Sequence, residues 1–384
     1  MKHKIKNIEQ AAKRIREAVT NKEKIILYGD SDCDGISSIV ILGEAIKSLG
    51  GYITAVAFPD RELDGYGMNF KALDVLQKYA PALFITADLG IANVKEVDAA
   101  NTMGFEVLII DHHQVLDALP KANIIVDPQQ KDDDSGYGYL CNTGLIFKLI
   151  EEMLGDSFSE IQRNSLLELT ALATISDMVP QIDDNKIFIE EGLRSLKNTF
   201  RPGLKALLDV LGPGEAAAQG YLRLISCINA AESIDFNNQA YELLTSSDSQ
   251  TCRDIAETLL AKVILKQKNI KDIVQEVERR IAKKPDETIV FQGDPAWKLT
   301  LAGPVASIIA SKYEKPTFIY RKMDEESAGS VRSLKDGQNS VEAMKSCADI
   351  LITYGGHPKA SGFRIKNENL EKFKERLMQH FNKP

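Results

Sequence analysis

Val107-Leu108-Ile109-Ile110-Asp111-His112-His113 is the stretch on which the reading of this chain turns. Four consecutive apolar residues, three of them β-branched, predict a buried strand. An acid and two imidazoles follow at its C-terminal end, and in an open α/β sheet that edge is where ligands bind. The chain holds five histidines. His3 and His380 lie near its ends, which leaves His112, His113 and His357 as the placed ones. Taken alone, the tripeptide is as compatible with a surface turn as with a site, so the flanking segments decide.

Reading outward, residues 94–103 predict a helix and 82–87 a strand ending in Asp88-Leu89-Gly90. Residues 24–29 predict a first buried strand. It runs into Asp30-Ser31-Asp32-Cys33-Asp34-Gly35 and an apolar helix that Gly50-Gly51 closes. Residues 5–22 and 70–79 predict helices, 52–58 a strand, and 122–126 a strand closed by Asp127-Pro128. This alternation predicts an α/β fold with a mostly parallel sheet flanked by helices. Helices follow at 141–154 and 160–175, the second running into Ser176-Asp177-Met178-Val179-Pro180, where proline forbids continuation. Residues 185–232 read as mainly helical, and a long connector helix spans about 248–284. A second α/β unit then has strands at 288–291, 316–320, 328–333 and 363–365, with helices at 302–312, 341–348 and 370–381. The implied organisation is a domain over 1–190, a helical region with its connector over 191–285, and a smaller α/β domain over 286–384.

Composition bounds the chemistry. At 384 residues, with 44% hydrophobic and 27% charged residues, the chain has ample material for two or three cores. No apolar run reaches the length of a membrane-spanning helix, the N-terminus leads into a charged amphipathic helix rather than a leader, and no membrane partner is expected. Five scattered cysteines without a CxxC pair predict thiols in a reducing, cytoplasmic setting. A net charge of −8 excludes a generally basic nucleic-acid-coating surface but not a local basic groove.

Three predicted strand ends carry acids or imidazoles: Asp30/Asp32/Asp34, Asp88, and Asp111/His112/His113. A parallel sheet brings such ends to one edge, and Asp177 ends a helix able to reach it. Carboxylates gathered this closely repel one another unless a cation lies between them. Carboxylate oxygens with one or two imidazoles suit manganese or magnesium better than a structural zinc site. Two such ions about 4 Å apart can activate water and brace a phosphate for in-line displacement. A calcium loop is excluded, because the twelfth position counted from Asp30 is Ile41 and not a glutamate. Taken singly, Asp88 reads equally well as a helix cap and Asp177 as a surface acid. Near the other end, Tyr354-Gly355-Gly356-His357-Pro358-Lys359-Ala360-Ser361-Gly362 reads either as a phosphate nest or as a tight turn. Gly329-Ser330-Val331-Arg332-Ser333 adds a guanidinium and hydroxyls fit to hold a phosphodiester.

These residues, in order, resemble the motifs of the DHH phosphoesterase superfamily: Asp30-x-Asp32-x-Asp34-Gly35, Asp88-Leu89-Gly90, Asp111-His112-His113 and Ser176-Asp177-Met178-Val179-Pro180. The Gly-Gly-His segment resembles the signature of the DHH-associated domain. Asp64-Gly65-Tyr66-Gly67, Ile228-Asn229-Ala230-Ala231 and Gly303-Pro304-Val305-Ala306-Ser307 make the RecJ-type single-strand exonucleases the most similar branch. The resemblance implies a two-metal phosphodiesterase with its active-site cleft between the two domains. It implies manganese or magnesium held by Asp32, Asp34, Asp88, His112 and Asp177, with Asp88 bridging and Asp30 the less sure ligand. Other branches place a ligating histidine where this chain has Tyr28. It further implies that His113 contacts the scissile phosphate, that Asp111 orients the histidines, and that Ser330, Arg332, Gly355, Gly356, His357 and Lys359 hold the strand.

The implied activity is 5′ to 3′ hydrolysis of single-stranded DNA in repair or replication, with RNA left open as substrate. Arg223 and Lys298 are further basic contacts, and replication or repair proteins are the implied partners. Three departures bear on this: the family's OB-type domain is not found in this sequence, which implies a compact form; the Asn-Ala-Ala-Gly-Arg segment reads Asn229-Ala230-Ala231-Glu232-Ser233; and Lys298 stands where a histidine typically follows Trp297. The alternatives are an oligoribonuclease or cyclic-dinucleotide phosphodiesterase of the same superfamily, and a scaffold of a replication complex.

Overall fold

The structure, a computed structural model, describes residues 4–115, 118–212, 218–284, 286–335 and 338–382. It resolves into two compact units, residues 1–263 and 264–384.

The first unit is built on a five-stranded sheet in the order β2-β1-β3-β4-β5: β1 (Ile25–Gly29), β2 (Ile53–Ala57), β3 (Ala82–Ala87), β4 (Phe105–Ile110) and β5 (Ile124–Val126). Every pairing in it is parallel. A parallel sheet must bury both faces, so its strands read as unbroken apolar runs. Strand alternation then divides them. Ile25, Leu27, Leu83, Ile85, Leu108 and Ile110 join one core with α1 (Ile8–Thr20), α2 (Cys33–Ser48) and, further along, α5 (Asn142–Leu154) and α6 (Glu160–Ser176). Ile26, Tyr28, Phe84, Val107 and Ile109 join the opposite core with α3 (Phe70–Leu76) and α4 (Val94–Thr102). The strand order 2-1-3-4-5 reverses direction between β1 and β3. Such a switch point leaves a crevice at the carboxyl ends of those two strands, because the following segments leave towards opposite sides.

The rest of this unit is α7 (Asp183–Leu196), α8 (Pro202–Leu211), α9 (Ala218–Ile228), a two-stranded ribbon of β6 (Ser233–Ile234) and β7 (Asn237–Asn238), and α10 (Gln239–Thr245). Pro202 opens α8 and Gly212 closes it, as the fixed φ of proline and the freedom of glycine favour. Helix α11 (Ser249–Ala282) follows. Cys252, Ala256, Leu259 and Val263 from its first half belong to the core of the first unit, whereas Ile273, Val277 and Ile281 belong to a core of the second.

The second unit holds a sheet ordered β11-β12-β10-β9-β8. Its strands are β8 (Val290–Asp294), β9 (Thr317–Lys322), β10 (Glu326–Arg332), β11 (Leu351–His357) and β12 (Ala360–Lys366). Strands β8 and β9 are parallel and joined through α12 (Leu299–Tyr313); the other pairs are antiparallel. Helices α13 (Ser340–Lys345) and α14 (Leu370–Phe381) complete it. The Gly-Gly-His segment is here a strand. It forms a hairpin with β12 that turns at Pro358 and Lys359, rather than a free-standing nest. The sequence concealed this strand because two adjacent glycines erase the alternation by which a strand is read.

Candidate metal centre and phosphate-binding strand

Each acid reaches the switch point by a local device. The β1 end turns directly into α2, whose N-cap is Asp32. Asp32 Oδ1 accepts hydrogen bonds from the N–H groups of Asp34 and Gly35, both at 3.0 Å. Gly35 is obligatory, since a Cβ there would stand 2.4 Å from the Asp30 carbonyl oxygen. Asp34 is buried, and its carboxylate receives the N–H groups of Asn142 (2.7 Å) and Thr143 (2.8 Å) and the Thr143 hydroxyl (2.6 Å). These are the free donors of the first turn of α5, so that helix terminus stabilises the Asp34 charge.

Asp88 follows β3 in a left-handed conformation (φ 65°) that a non-glycine residue adopts only under constraint. Its Oδ1 is buried and accepts no hydrogen bond among the described residues. Asp177 caps the C-terminus of α6, and left-handed Met178 (φ 56°) turns the chain away. His112 draws the set together. Its Nε2 lies 3.2 Å from Asp88 Oδ1 and 3.8 Å from Asp34 Oδ2, and its Nδ1 is 3.8 Å from Asp177 Oδ2. The Leu140 carbonyl, 3.1 Å from Nδ1, can only accept, so it holds a proton on that nitrogen and directs Nε2 towards the carboxylates, where a cation could replace any proton it carries.

Three overlapping groups of side chains could each hold a metal ion: Asp88, His112 and His113; Asp34, His112 and Asp177; and Asp30, Asp32 and Asp88. Asp88 is common to two of them. The electrostatics fit a cation. Burial, with Asp34 and Asp32 alongside, pushes the Asp88 carboxyl far above the usual range. Burial and Asp34 raise Asp177 to about 7, although His112 opposes the shift. Both shifts are the signature of carboxylates short of positive charge. Burial works against a charged His112, but the neighbouring Asp34 and Asp177 outweigh it and raise its pKa.

Asp111 takes no part in these groups. Its Oδ1 accepts from the His113 ring Nδ1 (2.7 Å) and from the backbone N–H of His112 (2.8 Å), while Oδ2 accepts from Ile91 N–H (3.0 Å). Burial disfavours a charged His113, yet the Asp111 hydrogen bond outweighs it and lifts the imidazole to about 9. Half of the His113 side chain is open to solvent.

Asp30 is placed differently from the other acids. The Arg61 guanidinium grips both of its oxygens, Nε donating to Oδ1 at 2.9 Å and an Nη to Oδ2, and the same group lies 2.8 Å from Asp32 Oδ2. Arg61 was not visible in the sequence as a site residue, nor was Asn142. Asn229 is a third. It accepts from Cys33 N–H (2.8 Å) and donates to Ser176 Oγ (3.2 Å), tying the start of α2 to the end of α6. Asp127, at the end of β5, is fully buried with Oδ2 unpartnered among the described residues, and burial pushes it to about 7. The strand-end rule that selected Asp88 and Asp111 would have found Asp127 too. Tyr28 is a core residue; its ring packs against Phe84 and its hydroxyl accepts from Asn69.

The remaining predicted residues belong to the second unit. Ser330, Gly362 and Gly355 stand opposite one another across β10, β12 and β11, and so do Arg332, Ala360 and His357. The His357 side chain lies outside the described residues. Gly356 (φ 121°) pairs with Ser361, and the carbonyl of Lys359 accepts from Ser333 N–H at 3.1 Å. Arg332 Nε donates to Ser307 Oγ at 3.1 Å. Arg332 also passes close over α12 at Gly303, where a Cβ would stand 3.1 Å from its Nη2. Ser330 and Arg332, two residues apart on β10, share a sheet face.

A three-layer α/β unit with carboxylates and imidazoles at its switch point, followed by a small mixed-sheet unit, defines a class. The chain carries both parts of that class: residues 24–174 match the DHH family, N-terminal domain, and residues 286–383 the DHHA1 domain. Within that class it is similar to proteins called single-stranded-DNA-specific exonuclease RecJ. The Bacillus subtilis (strain 168) protein is 33% identical over 380 residues, which are 97% of this chain and 47% of that one. The Thermus thermophilus protein is 27% identical over 97% of this chain and 54% of its own length. The chain thus spans about half the length of these relatives. Among solved structures, exonuclease RecJ bound to manganese superposes with a TM-score of 0.82 at 25% identity, covering 100% of this chain and 96% of that one.

Proposed function

We propose that this chain is a metal-dependent phosphodiesterase that shortens single-stranded DNA from its 5′ end. One observation carries the reading: a buried Asp88 oxygen with no hydrogen bond among the described residues stands 3.2 Å from Nε2 of His112, with Asp34 and Asp177 beside that imidazole. Asp32, Asp34, Asp88, His112 and Asp177 would hold two manganese or magnesium ions, as the relative bound to manganese suggests. Asp30 is the weakest of the ligands first considered, because a cation would have to displace Arg61 from it. Such ions, when bound, supply the positive charge that acidifies a water nucleophile and neutralises phosphoryl oxygens.

The chain's own residues do the rest. Asp111 fixes the His113 proton on Nδ1, so an imidazolium there presents its other N–H to a phosphate oxygen. Ser330 and Arg332 bind the strand backbone through hydroxyl and guanidinium, and Gly355 opposite leaves the backbone open to it. Gly356, His357 and Lys359 belong to the same proposed surface. Arg332 is pre-oriented by Ser307. The buried thiols suit a reducing cytoplasm. Repair or replication is the process such trimming would serve, and proteins of those processes are the proposed partners.

The test uses the chain with manganese or with magnesium, and oligonucleotides labelled at either end, as DNA and as RNA. Immediate release of a mononucleotide from 5′-labelled DNA, with laddering of the 3′-labelled copy, is the expected result. Cleavage confined to oligomers of a few nucleotides would reassign the substrate, and no hydrolysis with either metal would overturn the reading.

A further inference from the structure

Behind the metal-binding face, one residue touches the carboxylate of Asp34 and the main chain of Asp88, the two acids that flank the switch point. Asn142 is the first residue of α5 and is fully buried. Its backbone N–H donates to Asp34 Oδ2 at 2.7 Å. Its side chain lies against the backbone of Asp88. There the amide nitrogen donates to the Ile110 carbonyl (3.0 Å), while the amide oxygen accepts from Asp88 N–H (2.9 Å) and Ser38 Oγ (2.9 Å). This orientation is fixed by its neighbours, because a carbonyl can only accept and a backbone N–H can only donate.

The second contact has a mechanical consequence. Asp88 holds a left-handed backbone (φ 65°) that persists only where its surroundings over-determine it. The Asp88 N–H has one other acceptor, the Ile110 carbonyl at 3.0 Å. Asn142 bonds to both members of that pair, bridging the ends of β3 and β4, and so restrains the peptide from which the Asp88 carboxylate projects. Because the same residue also anchors Asp34 through its main chain, the separation of the two carboxylates is referred to a single point in a rigid helix.

We infer that Asn142 is a positioning residue that sets the spacing of Asp34 and Asp88. The inference rests on the reading of this cluster as a divalent-metal site, and it assigns the two halves of Asn142 to different ligands. Replacing the side chain alone leaves the backbone donation to Asp34 in place and, of the two acids, releases only Asp88, together with Ile110 and Ser38. Loss of a partner that orients a ligand typically weakens metal affinity about 10–100-fold.

The experiment is a calorimetric titration of the full chain with Mn²⁺, with circular dichroism to check folding. The wild type is expected to bind two ions. Asn142→Ala is expected to keep one near its wild-type affinity and to bind the other at least about 10-fold more weakly. Asn142→Ser, which is too short to span Ile110 and Asp88, is the second variant should alanine fail to fold, with the same expected result. In both, hydrolysis lost at limiting Mn²⁺ should return at excess Mn²⁺, which a purely structural defect would not allow. Two unchanged affinities in a folded variant would overturn the inference while leaving the metal site standing. A wild type that binds no Mn²⁺ would overturn the metal reading itself and this inference with it.

Discussion

Nε2 of His112 stands 3.2 Å from Oδ1 of Asp88, a buried carboxylate oxygen that accepts no hydrogen bond among the described residues. The Leu140 carbonyl holds a proton on the far side of the imidazole ring. Both groups are pushed towards holding protons, and a divalent cation would take the place of those protons. Most of what can be tested about this chain follows from that pair.

Asp88→Ala should reduce phosphodiester hydrolysis at least about 1000-fold, equivalent to about 4 kcal/mol of transition-state stabilisation. The metal-free protein should be no less stable, because the change removes a buried carboxylate that lacks a partner. Initial rates at saturating manganese and a melting curve in chelator check the two halves. Retained hydrolysis would remove Asp88 from the site.

The metal-free protein should lose stability as pH rises. His113 sits at about 9 in the fold, above the ordinary 6.5 of the unfolded chain, so its contribution is complete below about 6.5 and gone above 9. Asp177 sits at about 7, above its unfolded value of about 3.9, so the cost of ionising it is absent below about 4 and complete above 7. Both groups bind more protons folded than unfolded, and the slopes add. Melting temperature measured in chelator should therefore fall from pH 5 to pH 9, and manganese should restore most at the alkaline end, where it need not displace protons. A flat or rising profile would contradict the assignment.

Arg61→Met should destabilise the fold by about 3 kcal/mol, because Asp30 is left buried and unpaired. Arg61→Lys should recover little of this, since an ammonium cannot reproduce the two-pronged grip. Adding Asp30→Asn to Arg61→Met should restore most of the loss, which a double-mutant cycle by urea denaturation measures. Equal losses with and without the Asp30 change would show that the pair is not coupled.

Arg332→Ala should raise KM for single-stranded DNA about 10-fold or more, by removing a charge-assisted contact worth about 1.5–3 kcal/mol. Manganese affinity should not change, since Arg332 belongs to the second unit and the metal ligands to the first. Steady-state kinetics together with a metal titration separate the two. A parallel loss of metal binding would contradict the division of labour.

Much of the site could be read in the sequence because parallel sheets have a simple geometry. Once 25–29, 82–87 and 105–110 are recognised as buried strands, their carboxyl ends must share an edge, and Asp32, Asp34, Asp88, Asp111 and His112 come with them. Local pattern sufficed because helical and strand periods are properties of neighbouring residues. It failed at β11, where Gly355-Gly356 carries no alternation, and it passed over Asp127, which obeys the same strand-end rule.

The sequence by itself determined the order of elements in the parallel sheet, the identity of the acids and imidazoles, and the edge at which they gather. Tertiary structure alone decided how each is used. Arg61 takes Asp30 across 31 residues, and Asn142 reaches Asp34 across 108. Such partners are set by where separate turns of backbone come to rest. A carboxylate's role depends on which donor fills the space beside it, and no local period encodes that.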